Sequence, residues 1–221
     1  MWNEEKTKPQ EGYETLAAKR LLSWQFRTLG FLPLMFFLGQ AIHYWQINQL
    51  GHMLWMCNIG NLLLALGLFF AQAVLIRVAV IWMVPGVLVW FVYVVPTWGM
   101  FFTGKFSHSE LFGVLSSTLA HLGGFAVGIV VLRRVGMDAR AWFYAFIWYF
   151  VVQLFSRFVT PAAMNVNLSQ NIQAGWEVTF SSYWRFWLVL TILIGVGLWM
   201  LGLLLKKLWP VAPSMIESGA S

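Results

Sequence analysis

The sequence predicts an all-α polytopic membrane protein with six transmembrane helices and both termini in the cytoplasm. Three observations carry that prediction. Only 10% of the 221 residues are charged and 60% are hydrophobic, against about 25% and about 45–50% in a soluble domain. The apolar residues come in long runs, not in the alternating segments of about ten residues that build a transmembrane barrel. The basic residues gather in short flanks between those runs: Lys19, Arg20 and Arg27; Arg133, Arg134 and Arg140; Lys206 and Lys207. So few charges cannot cover a globule in water, which excludes a water-soluble enzyme, a disordered chain and a fibre.

The elements follow in chain order. Residues 1–28 form a mixed-charge arm, with four Glu and five Lys or Arg between Asn3 and Arg27. It reads as a cytosolic or interfacial amphipathic helix around Tyr13–Phe26. The arm is too long for the charged region of a cleavable signal, and the apolar run after it leads straight into a second one. Residues 29–205 form one transmembrane domain of six segments, at 29–47, 52–72, 76–96, 111–132, 141–158 and 183–205. Each approaches the roughly 20 apolar residues that a span requires. Residues 206–221, with Pro210 and Pro213, read as a flexible tail.

Orientation follows from the alternate connections. Eleven of the 14 Lys and Arg fall on the side that holds both termini; Lys105, Arg157 and Arg185 fall on the other. Positive charge stays inside, so the termini are cytoplasmic, in an inner membrane of bacterial type. The longer loops, 97–110 and 159–182, then face outward. Trp45, Trp98, Trp176, Trp184 and Trp209 lie near span ends, where an interfacial belt requires them. The net charge of +6 does not imply nucleic acid, because Arg77, Lys105 and Glu110 are the only charges between Gly30 and Leu132. Membrane lipids, and possible neighbouring membrane subunits, are the expected partners. A single cysteine excludes an internal disulfide framework and any multi-cysteine metal centre.

Neutral polar side chains inside spans are the functional candidates, since each is costly to place there. The second span carries Cys57, Asn58 and Asn61, with helical spacing that puts them on one face. Interhelical hydrogen bonding explains the same cluster without chemistry. The fourth span carries His121, followed by Gly123 and Gly124. With both spans running inward from the outer face, Cys57 lies about 8 Å deep and His121 about 15 Å deep. Side chains of neighbouring helices can close most of that gap, and a thiol beside an imidazole is the minimum for an activated thiolate. Gln40 and His43 share a face near the outer end of span one, and Gln153 and Arg157 one at the outer end of span five. These four are the candidate substrate-binding residues, with Arg157 able to snorkel to a headgroup phosphate.

The chain resembles the six-helix integral-membrane family of androgen-induced and androgen-dependent TFPI-regulating lipid hydrolases. That family includes a related ether-phospholipid acyltransferase and bacterial relatives. The resemblance rests on length and span number, on Leu54-Trp55-Met56-Cys57-Asn58-Ile59-Gly60-Asn61, on Ser117-Thr118-Leu119-Ala120-His121, and on Asn165-Val166-Asn167-Leu168. It implies Cys57 as nucleophile and His121 as base. Bacterial members often carry His two residues before the cysteine, and Trp55 stands there in this chain.

The expected function is therefore a lipid hydrolase or acyltransferase working at the outer leaflet. In it His121 takes the thiol proton, Cys57 attacks an acyl ester, and Asn58 or Asn61 donates to the oxyanion. No cofactor or metal is expected. One alternative is a non-catalytic subunit packed against other subunits, lipids or pigments. Another is a b-haem-binding subunit using two of His43, His52 and His121 as axial ligands. The absence of charges deep in any span argues against ion-coupled transport.

Overall fold

The computed structural model describes residues 23–101 and 107–211. The amphipathic arm before residue 23, Lys105 and the tail beyond residue 211 lie outside the described residues. Those described hold six long helices: α1, Phe31–Gln46; α2, Met56–Phe69; α3, Ala73–Phe101; α4, His108–Val135; α5, Ala141–Val159; and α6, Tyr183–Leu208. No strand occurs among them beyond one isolated bridge between Met137 and Pro210. A single helical turn, Trp24–Arg27, precedes α1 and is capped by Ser23, whose hydroxyl accepts from the Phe26 amide.

Four helices are long and apolar enough to cross a membrane: α3 over Ala73–Val92, α4, α5 and α6. The first two are shorter, at 16 and 14 residues. At 1.5 Å per residue α2 is about 21 Å long, against about 30 Å of hydrocarbon. The sequence pattern suggests a span from residue 52, yet the helix begins only at Met56. Local chemistry accounts for the difference. The chain turns at Asn48 (φ +55°) and makes a 3-10 turn at Leu50–Leu54. The Asn58 side-chain amide and the Trp55 backbone amide both donate to the His52 carbonyl. Trp55 itself is extended (φ −57°, ψ 137°), so the turn cannot run on into α2.

Elsewhere the ends follow ordinary capping rules. Ser107 and Glu110 form a capping box at the start of α4, with Ser107 Oγ accepting from the Glu110 amide and Glu110 Oε2 from the Ser107 amide. At the other end of α4 the chain leaves through Gly136 at φ +68°, where a Cβ would stand 2.6 Å from Val211 Cα. Only glycine fits that turn and that approach. Arg77, 4% exposed, donates to the Gly136 and Val135 carbonyls and closes the same helix end.

The helices alternate in direction. The start of α1 meets the end of α2 at Gly30 against Ala65 and Phe69, and the end of α1 meets the start of α4 at His43 against Gly113. The start of α5 meets the end of α6 at Trp142 against Gly202. Buried residues of α2, α3, α4 and α5 make the core, with the Ile76–Met83 stretch of α3 running through its middle. Both ends of the described chain therefore fall at one end of the bundle. There Arg134 lies over Phe26, Arg133 lies near Trp209, and the Met137 amide donates to the Trp209 carbonyl. Arg27, Arg77, Arg140, Lys206 and Lys207 join them at that end, whereas Arg157 and Arg185 lie at the other.

Candidate functional site

The short α2 leaves a recess at the less basic end, filled by irregular backbone. Such backbone is tolerated at membrane depth only where protein or a water-filled cavity surrounds it. Here the 3-10 turn at Leu50–Leu54 meets the segment 160–169 that follows α5. Gly51 packs against Thr160 and Met164, and Asn167 Nδ2 donates to the Leu54 carbonyl at 2.8 Å.

Cys57 sits at the second position of α2, half-buried and with its thiol unpaired in any disulfide. Its surroundings are those of an uncapped helix start. Trp55 supplies no side-chain cap. Asn58 and Ile59 donate their amides to the Trp55 carbonyl, whereas among the described residues the Met56 amide has no backbone acceptor and the Cys57 amide lies against its own sulfur. The amides of Cys57 and Asn58 and the positive end of the helix thus lie around the thiol, an arrangement suited to anionic charge. Tyr44, at the end of α1, lies against Cys57 and Asn58 and stacks on His52, with ring centroids 5.3 Å apart. Trp55 Nε1 donates to His52 Nδ1 at 3.2 Å.

One turn deeper, Asn61 is fully buried and bridges two helices. Its Nδ2 donates to the Cys57 carbonyl at 3.1 Å and to the Ala120 carbonyl at 2.8 Å. The Ala120 carbonyl is free because of a π turn at Leu119–Gly123. The Gly124 amide donates to the Leu119 and His121 carbonyls and so passes over Ala120, its partner in a regular α-helix. Asn61 supplies the missing donor. Its Oδ1 has no hydrogen-bond partner and rests on Gly124, where any Cβ would collide with it.

The π turn also sets His121 out of step with the helix above it. The ring stacks on Trp90 at 5.3 Å and 15°, and Nδ1 lies 2.8 Å from the Ser117 carbonyl. A carbonyl only accepts, so Nδ1 carries the proton, and in the neutral ring Nε2 carries the lone pair. Ser117 serves the pair twice, since its hydroxyl also accepts from Trp90 Nε1 at 2.9 Å. Cys57 and His121 approach the same face of α3: the thiol-bearing Cβ faces Gly86, and His121 faces Trp90 one turn on. Among the described residues no hydrogen bond joins the thiol to the imidazole.

The other candidates divide between two places. Gln40, 1% exposed, donates to Ser116 Oγ at 3.4 Å and leaves Oε1 unpartnered. His43, one turn nearer the less basic end, fits against Gly113 with Nδ1 unpartnered. These two line the α1–α4 seam beside the Cys57 cluster. Gln153 and Arg157 serve the loop instead. Gln153 donates to the Asn167 carbonyl and accepts from Trp187 Nε1. Arg157 donates to the Ser169 carbonyl and lies 4.8 Å from the rings of both Tyr183 and Trp184. Between that loop and α6 an apolar recess is lined by Leu168, Trp176, Phe180, Phe186, Val189 and Leu193. Of the three histidines named as haem candidates, His43 and His52 both lie against the Tyr44 ring, with His43 also near Phe112, and His121 lies against Trp90. No group of three or more His, Cys, Asp or Glu that could hold a metal ion occurs among the described residues.

Sequence reasoning did not single out Tyr44 or Trp90, and it quoted Ser117 and Asn167 only as motif residues with no role assigned. Trp90 and Tyr44 are aromatic residues in an aromatic-rich chain, and nothing in their spacing separates them from packing. Asn167 carried a signal, an asparagine in an Asn-Val-Asn run, but its partner is 113 residues away in sequence. Comparison with protein-family models, with curated proteins and with solved structures finds no match for this chain.

Proposed function

We propose that the protein is an integral-membrane acyl-transfer enzyme, a lipid hydrolase or acyltransferase, with Cys57 as nucleophile and His121 as base. The observation that carries the reading is the placement of the single thiol at an uncapped helix start, against the amides of the helix's first turn. In the proposed reaction the thiol proton passes to His121 Nε2 and the sulfur attacks the acyl carbon of a lipid ester. A C–S bond forms, the negative charge goes to the carbonyl oxygen, and the Met56 and Cys57 amides receive it. The tetrahedral species then collapses with loss of the ester oxygen, which takes the proton back from His121. Water or an acceptor hydroxyl releases the acyl group by the reverse sequence.

The oxyanion role assigned from sequence to Asn61 is the weaker part of the reading, because both protons of its amide are already spent on carbonyls. Asn58 donates to the His52 carbonyl and its side chain also meets the Tyr44 hydroxyl. Cys57 lies in the first turn of a short helix, and in this reading that helix starts below the outer surface, at the depth of lipid ester bonds under their headgroups. We infer further that all six helices span the bilayer, with the 3-10 turn and the 160–169 segment completing the short pair, and that the basic end is cytoplasmic.

The test is turnover of phospholipid in vesicles containing the purified protein, with products read by mass spectrometry. Cys57→Ala and His121→Gln should reduce turnover to background while leaving the helical content intact. Wild-type turnover in the Cys57→Ala protein would exclude the mechanism.

A second reading, a subunit of a larger membrane assembly, draws support from the broad aromatic face of α5. Trp148, Phe155 and Phe158 are 41–77% exposed there. Stable co-purification of a multisubunit complex, with no turnover by the isolated chain, would favour it.

A further inference from the structure

The geometry points to Asn167 as a positioning residue that holds the open amide end of α2 around Cys57; this inference rests on the acyl-transfer reading above. The groups involved come from three parts of the chain. Asn167 Nδ2 donates to the Leu54 carbonyl at 2.8 Å and to Ser156 Oγ at 3.3 Å, and its own carbonyl accepts from Gln153 Nε2 at 3.0 Å. Leu54 ends the 3-10 turn three residues before Cys57, and Gln153 and Ser156 belong to α5. One 5%-exposed side chain thus ties the start of α2 to the last turn of α5.

Asn167 has a backbone chosen for this task. Its φ is +52°, between Asn165 at +41° and Leu168 at +55°. Asparagine tolerates the left-handed region and leucine does so only at a cost, so the surrounding structure imposes the turn. Tyr183 donates to the Leu168 and Ser169 carbonyls, and Arg157 to that of Ser169. Gln170 donates to the Arg157 and Thr160 carbonyls. Gln153 and Arg157 thereby act through Asn167 and its loop. In the acyl-transfer step the new C–S bond forms at Cys57 while the Met56 and Cys57 amides hold the carbonyl oxygen. Displacing the Leu54–Trp55 peptide moves those amides without removing the thiol.

The experiment compares two reactions of the one cysteine in the full chain reconstituted in vesicles. Acylation by a p-nitrophenyl acyl ester forms the C–S bond, expels p-nitrophenolate and develops an oxyanion. Alkylation by iodoacetamide expels iodide and develops none. Access to the thiol and its ionisation affect both rates, so their ratio isolates the oxyanion contribution. Deleting one oxyanion donor costs about 10²–10³-fold, and displacing it should lower the ratio about tenfold. Asn167→Gly keeps the left-handed backbone and loses the side chain; Asn167→Asp keeps the shape and loses the donor. Both should show the fall, and Asn165→Gly in the same loop should not.

A ratio within twofold of wild type in both Asn167 variants would overturn the inference, as would a wild-type cysteine that is alkylated but never acylated. Loss of thermal stability with an unchanged ratio would mark Asn167 as structural only and overturn it too. A protein that shows the fall in ratio but never turns over phospholipid would sink the lipid reading and leave the positioning role standing.

Discussion

Replacing Asn61 with leucine removes the donor that closes the π turn of α4 while nearly conserving volume. The magnitude follows from the hydrogen bonds. The Ala120 carbonyl loses its 2.8 Å partner, and the Gly124 amide cannot take its place because it already serves the Leu119 and His121 carbonyls. An orphaned buried carbonyl costs about 1–3 kcal/mol. The second lost bond, to the Cys57 carbonyl, adds about 0.6 kcal/mol at the average for membrane interiors. Against this, leucine ends the burial of the unpartnered Asn61 Oδ1. The expected net destabilisation is about 1–3 kcal/mol. Reversible unfolding in mixed micelles containing a rising fraction of dodecyl sulfate reads it directly. The same variant should lose the Trp90–His121 stack as α4 relaxes, visible as a change in tryptophan fluorescence. A midpoint within about 0.5 kcal/mol of wild type, the ordinary size of a surface substitution, would refute the view that Asn61 sustains the π turn.

Other outcomes follow from neighbouring contacts. Gly124→Ala sets a Cβ against Asn61 Oδ1 and should cost about 1–3 kcal/mol as an overpacked core site; unchanged unfolding would count against the contact. Arg77→Met strips charged donors from the Val135 and Gly136 carbonyls and should cost about 2–3 kcal/mol in the same unfolding assay. Gly86→Ala brings a Cβ to 3.0 Å from Cys57 Cβ, so the rate of iodoacetamide labelling of Cys57 should change while overall stability moves little. In a Cys57→Ser background, cysteines placed at Ser181 and at Lys206 should label from opposite sides of intact cells, with Ser181 accessible to an impermeant reagent; the reverse pattern would invert the proposed orientation.

The six helices were legible because apolar run length and the positions of Gly, Pro and charges are one-dimensional quantities. The segment read as 141–158 is a helix at Ala141–Val159, and that read as 183–205 is one at Tyr183–Leu208. The segment read as 52–72 is a helix only at Met56–Phe69, since hydropathy cannot see that Asn58 and Trp55 fold their donors back onto His52. The site was legible as a set of residue types and not as an arrangement. The spacing of Cys57, Asn58 and Asn61 placed them on one face, but not which carbonyl each amide would take. The π turn was invisible for a similar reason. It exists because an acceptor on α4 and a donor on α2 satisfy each other across 59 residues of chain.

The sequence by itself determined that this is an all-helical chain with membrane-spanning capacity, and which few polar groups lie within its apolar stretches. Burial preference is a property of each side chain in turn, so composition and order suffice for it. Only the tertiary structure decided that α2 starts late with Cys57 in its first turn, that Asn61 is spent on carbonyls, that His121 faces Trp90, and that Asn167 reaches Leu54. Those are pairings, and a hydrogen bond inside an apolar interior goes to whichever partner the packing brings within about 3 Å.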